Sequence, residues 1–83
     1  MKVYMPVILI GQQTKCLGSF TSELDAVKVL INDPDFENAF DARVDIEGYD
    51  EEYGNIFGSI VIKFNGHLNA SVKQKYKTVW EEN

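Results

Sequence analysis

Residues 2–10, KVYMPVILI, are dense in β-branched and apolar types and end in the unbroken run Val7-Ile8-Leu9-Ile10. That pattern predicts a strand buried on both faces at its end. Pro6 has no N–H to give to a ladder, so the strand should have a free side there or a bulge. Gly11-Gln12-Gln13-Thr14 is polar and opens on glycine, which reads as a hairpin loop. Residues 15–20 (KCLGSF) then read as a second strand. Thr21-Ser22-Glu23-Leu24-Asp25 opens a helix, with Ser22 as the N-cap and Glu23 and Asp25 in the first turn, where the dipole favours anions. Leu24, Val27, Leu30 and Ile31 fall three and four apart and form one apolar stripe, which Ala26 widens. Asp33-Pro34 ends that helix and offers a cap and first position for a second short one, burying Phe36, Ala39 and Phe40.

Ala42, Val44 and Ile46 alternate with Arg43, Asp45 and Glu47, the period of a half-buried strand. A loop is expected from Gly48 to Asn55, and residues 56–64 (IFGSIVIKF) form the strongest strand pattern in the chain. There Ile60, Ile62 and Phe64 share one face, with Phe57 and Val61 on the other. A two-residue Asn65-Gly66 turn would set Ile62 against Asn69, whereas a three-residue loop, Phe64-Asn65-Gly66, sets Ile62 against Leu68 and Ile60 against Ala70. The apolar match favours the longer loop with a bulge at Gly66. Residues 67–76 then form a last strand, with Leu68, Ala70, Val72, Gln74 and Tyr76 inward. Thr78-Val79-Trp80 extends it, and Glu81-Glu82-Asn83 is tail. The order β-β-α-(α)-β-β-β describes a single α+β domain over 1–83: an antiparallel sheet of about five strands with one main helix packed on one face.

At 83 residues the chain is one domain's worth, and a chain this short buries only about 60–65% of its unfolded surface. Hydrophobic residues make up 45% and aromatic residues 12%, enough for a core and too much for a disordered chain. The net charge of −5 and pI near 4.6 argue against direct nucleic-acid or anionic-membrane binding. The lone Cys16 can form no internal disulfide, which points to a reducing compartment. The longest apolar run is far short of the roughly 20 residues of a membrane span, and no basic segment or cleavage pattern of a signal peptide is present. The expected location is cytoplasmic, the host's cytoplasm if the protein is viral. Asn69-Ala70-Ser71 fits the glycosylation sequon by chance.

Little in the chain suggests an enzyme. Cys16 and His67 are the sole cysteine and histidine, and nothing in sequence places one beside the other as nucleophile and base. They are too few for an ordinary zinc site. Asp33, Asp35 and Glu37 alternate like the start of a calcium loop, but its sixth and twelfth places fall on Asn38 and Val44 instead of glycine and glutamate. The glycines are scattered and form no phosphate loop. Neither a cofactor nor a metal is implied. Lys73, Lys75 and Lys77, outward on the last predicted strand with His67 and Asn69 in line, read as a guard against edge-to-edge aggregation.

The charge distribution is the sharpest signal. Between Asp33 and Glu52 stand nine acids and one cation, Arg43, a net of −8 in 20 residues; the other 63 carry a net of +3. A solvated face would account for the acids, but such faces usually interleave lysines as helical partners. Polarised charge selects a complementary partner, and tyrosines beside charge are typical of interface hot spots. The candidate binding face is Asp41, Asp45, Glu47, Tyr49, Asp50, Glu51, Glu52 and Tyr53. Its partner would be a basic protein whose nucleic-acid groove accepts carboxylates in place of phosphates. The alternative is a structural homo-oligomer assembled through an edge strand, near Val7–Ile10 or along 68–76.

The opening, with its hydrophobic first strand, polar hairpin and Gly18-Ser19-Phe20-Thr21-Ser22-Glu23 step into a short helix, resembles small phage and bacterial accessory proteins over the first 31 residues. The resemblance implies an accessory role. Small acidic phage proteins that block host defence enzymes, anti-CRISPR proteins among them, are similar in size and charge, which implies an inhibitor.

Overall fold

The structure is a computed structural model and describes residues 1–82. Five strands, β1 (Lys2–Ile10), β2 (Gln13–Cys16), β3 (Asp41–Asp50), β4 (Gly54–Phe64) and β5 (His67–Leu68), form one antiparallel sheet in the order β2-β1-β3-β4-β5. Three helices, α1 (Glu23–Asn32), α2 (Ala70–Lys75) and α3 (Lys77–Glu81), complete an α+β fold. None of the helices among the described residues is long and apolar enough to cross a membrane.

The first hairpin is tighter than its sequence suggested. Ile10 pairs with Gln13, so the loop is only Gly11-Gln12, and Gly11 takes φ +60. A two-residue hairpin with positive φ at its first position calls for glycine there. The second strand spans 13–16 rather than 15–20, because Gly18 at φ +115 bends the chain. Phe20 then returns to bridge Tyr4 through both backbone groups. Pro6 accepts from Leu17 N–H on this side, so its missing donor falls where β2 has already turned away.

Ser22 caps α1 as expected, its Oγ accepting from Asp25 N–H at 3.3 Å. Ala26, Val27 and Leu30 are fully buried on β1 and β3, but Leu24 is 54% exposed. At 3.6 residues per turn the buried stripe extends back to Glu23, not Leu24. The carboxylate of Glu23 accepts from Tyr76 Oη at 2.9 Å. No helix forms after Pro34; Asp33 and Phe36 carbonyls accept from Phe36 and Ala39 N–H in successive turns instead. Ala39 is buried, Phe36 half-buried and Phe40 exposed.

Both ends of β4 differ from the expected pattern. The expected Gly48–Asn55 loop shrinks to a three-residue tip, because β3 runs to Asp50 and pairs there with Gly54. At the other end, Phe64 pairs with His67 and Lys63 with Leu68. The loop is therefore Asn65-Gly66 alone, with φ +52 and +78. Positive φ at both places is the type I′ turn, whose twist matches the flanking strands. The apolar mismatch that seemed to forbid it does not build up, because pairing with β4 stops at Leu68 and residues 70–75 are helical; β4 carries its bulge on the β3 side instead. Ala42 faces Lys63 while Arg43 faces Val61, leaving Ile62 as the extra residue. Ile62 and Lys63 both turn to the covered face, and Phe64 joins Phe57 and Val61 on the opposite one.

The chain after Leu68 is helical, not a strand. Asn69 leaves the sheet: its N–H donates to the Ile62 carbonyl at 2.8 Å and its Nδ2 to the Val61 carbonyl at 3.1 Å. Its Oδ1 accepts from the N–H groups of Ser71 and Val72, which caps α2. Val72, Tyr76, Val79 and Trp80 then pack towards the core formed by Ile8, Val27, Leu30, Val44 and Ile62. Glu81 ends α3 and Glu82 caps it; Asn83 of the expected tail lies outside the described residues.

Candidate interaction face

All the helices lie on one side of the sheet. The main core cluster takes in Ile8, Ala42, Val44, Ile60 and Ile62 from that side, while Val3, Met5, Val7 and Leu9 alternate to the other, where Val7 is buried and the other three are half-buried. On β3 the odd residues Asp41, Arg43, Asp45, Glu47 and Tyr49 share the uncovered face, beside Phe57, Ser59, Val61 and Phe64 of β4. Phe57 is 74% exposed, Phe64 62% and Tyr49 60%. Glu47 stands directly opposite Phe57, and Asp45 opposite Ser59. An apolar strip rimmed by charge on a surface is the usual mark of an interaction site.

Of the predicted binding residues, β3 aligns Asp41, Asp45, Glu47 and Tyr49. Asp45 accepts from Arg43 Nε at 2.9 Å and from Ser59 Oγ at 3.2 Å. Asp41 accepts from Asn65 N–H at 3.1 Å and ties the start of β3 to the type I′ turn. Asp50 alternates to the other face and is spent locally: its Oδ1 accepts from the N–H groups of Glu52 and Tyr53. That closes the tip, where Glu51, Glu52 and Tyr53 are exposed. The tip is thus ordered by its own Asx turn.

The acidic stretch is less uncompensated than its sequence implied. Lys15, on β2, reaches Asp33 at 3.0 Å and Asp35 at 3.1 Å. Its hydrogen bonds to Asp33 and Asp35 raise its pKa against partial desolvation. Burial opposes ionisation of Asp33, but the Asp35 N–H and the Lys15 ammonium outweigh it and hold its carboxyl below the usual range. Pairing across 18 residues left no local signal to find it by. Lys63 was missed too. It is 8% exposed, and its Nζ donates to the carbonyls of Phe36 at 3.0 Å and Glu37 at 2.6 Å.

Cys16 and His67 sit on opposite edge strands of the sheet, roughly 19 Å apart at the usual interstrand spacing, and form no nucleophile–base pair. Among the described residues no three His, Cys, Asp or Glu side chains converge as a metal site. The lysines of the last segment guard no edge. Lys73 and Lys77 line a shallow groove of about 430 Å³ with Ala70, Gln74, Trp80 and Glu81, and Lys77 pairs with Glu81 at 3.6 Å. A scan against protein-family models and searches of curated proteins and solved structures find no match for the chain.

Proposed function

We propose that this protein is a non-enzymatic binding module that docks its uncovered sheet face and acidic hairpin tip on a basic protein, as an inhibitor of phage type would dock on a nucleic-acid-binding enzyme. One observation carries the reading: Glu47 and Tyr49 stand beside exposed Phe57, Val61 and Phe64 on a sheet face that no helix covers. Aromatic anchors supply the desolvated centre of an interface and carboxylates its charged rim. Rigid presentation lowers the entropy lost on binding, and the paired β3–β4 hairpin with its Asx-closed tip supplies it.

The test is capture from the native host's lysate on immobilised protein, eluted with a salt gradient. One basic protein should elute sharply at moderate salt. Phe57→Ala should weaken that complex by about tenfold or more, as an interface anchor does, and alanine at Glu51 and Glu52 should lower the eluting salt. Capture unaffected by both changes would remove the reading.

A further inference from the structure

β4 has eleven residues, but β5 pairs only with Lys63 and Phe64, and Asn69 takes the carbonyls of Val61 and Ile62. From Gly54 to Ile60 no strand among the described residues pairs with the side of β4 away from β3. The Val61 carbonyl points to that side, so the strand's alternation aims the N–H and C=O groups of Ser59, Phe57 and Asn55 the same way. Asn55, Phe57, Gly58 and Ser59 are all exposed. Natural edges are normally blunted by charge, proline, a bulge or a covering loop. The stretch GNIFGSI holds no charge and no proline, and the bulge of β4 lies beyond it, at Ile62. The opposite edge, by contrast, is the four-residue β2, which carries Lys15.

We propose that this chain forms a twofold dimer in which the Gly54–Ile60 edge of β4 pairs antiparallel with the same edge of a second copy, centred on Phe57. The edges expected from the sequence cannot serve, since β1 is paired on both sides and residues 70–75 are helical. Self-pairing at this register matches like with like. Phe57 meets Phe57 across the axis on the uncovered face, Asn55 meets Ser59, and Ile56 fits over Gly58, where no side chain obstructs it. The outward backbone groups of Phe57, Asn55 and Ser59 gain mutual hydrogen bonds. Charge selects a second copy over an unrelated strand. The antiparallel arrangement carries the acidic tip of each copy, Glu51 and Glu52, towards Asn69 and the start of α2 in the other. Lys73 and Lys75 lie on that helix, so the acidic pole of one molecule approaches a basic element of its mate. The joined sheets would then present two binding faces as one continuous surface.

Sedimentation velocity across a concentration series of the full chain tests this, with amide hydrogen exchange at both ends of the series. The mass should rise from 9.4 kDa to twice that value, and the amides of Asn55, Phe57 and Ser59 should gain protection as it does. Ser59→Lys puts a cation on the edge outside the core and should weaken association at least tenfold, with circular dichroism unchanged. Glu51→Lys with Glu52→Lys should weaken it as well, and adding Lys73→Glu should restore part of the loss. A monomer at every concentration, or a dimer that protects other amides and ignores Ser59→Lys, would overturn the proposal. So would an edge that pairs only with a foreign extended peptide. Each of these readouts needs no host partner, so its failure is separate from that of the capture experiment.

Discussion

Strict alternation along β4 would put Lys63 on the face of Phe57 and Val61, opposite Ile62. The bulge at Ile62 turns it inward, and its ammonium then serves the carbonyls of Phe36 and Glu37 in the segment that links α1 to β3. No carboxylate pairs with it among the described residues; the Phe36 ring lies 5.4 Å away. Two effects compete on replacing it by methionine, which keeps the length and loses the charge. Removing a buried ammonium saves its desolvation, but the Glu37 carbonyl loses its donor and the Phe36 carbonyl keeps only Ala39 N–H, at about 1–3 kcal/mol for a group left unmade. Lys63 is the link from this turn to β4, and the short bond to the Glu37 carbonyl has no replacement, so the lost hydrogen bonds should dominate. Lys63→Met is expected to lower the urea midpoint by that order with an unchanged slope. A higher midpoint would show that desolvation governs.

At the scale of the element, Asn69 decides whether the chain after Leu68 stays in the sheet. Its side chain caps α2 while its amide and backbone hold the end of β4, so one residue both stops a strand and starts a helix. Asn69→Ala should cost about 1 kcal/mol for the cap alone, and more in all because the Val61 carbonyl also loses its donor. The check is thermal unfolding, with loss of helical circular dichroism preceding loss of the sheet. The sequence hid this switch for a definite reason. Leu68, Val72, Tyr76 and Trp80 recur every four residues, a spacing that fits both the strand period and one helical face. Only Val79, out of phase for a strand, tells the two apart. The elements before it were legible because their signals do not overlap: the capped start of α1, the alternation of β3, the apolar run of β1. The bulge left no trace in the pattern, so Phe64 was expected on the face of Ile60 and Ile62 and the uncovered face went unseen. Likewise the acidic residues were visible as a run, but not which of them β3 aligns and which Lys15 neutralises.

Over the whole molecule, ionisation should confine stability to a window whose limits differ in origin. On the acid side Asp33 titrates below its ordinary value of 3.8 when folded. Its contribution is therefore complete above pH 3.8 and fades as pH falls through the folded pKa, because the unfolded chain binds the proton first. On the alkaline side Tyr76 is buried against Glu23, and burial first, then the carboxylate, pushes its pKa above the ordinary 10.0. Its contribution is complete below pH 10.0 and is lost as pH rises towards the folded value, since the unfolded tyrosine ionises more readily. Lys15 acts in the same sense above 10.5, but its exposed side chain makes that effect small. Melting temperature against pH should thus show a plateau between about pH 4 and pH 10, the range those ordinary values bound. Asp33→Asn should lower the plateau and flatten the acid limb, because the ion pair is gone at every pH. Tyr76→Phe should flatten the alkaline limb and leave the acid one alone. An alkaline limb of undiminished steepness in Tyr76→Phe would mean that the Tyr76–Glu23 contact does not set it.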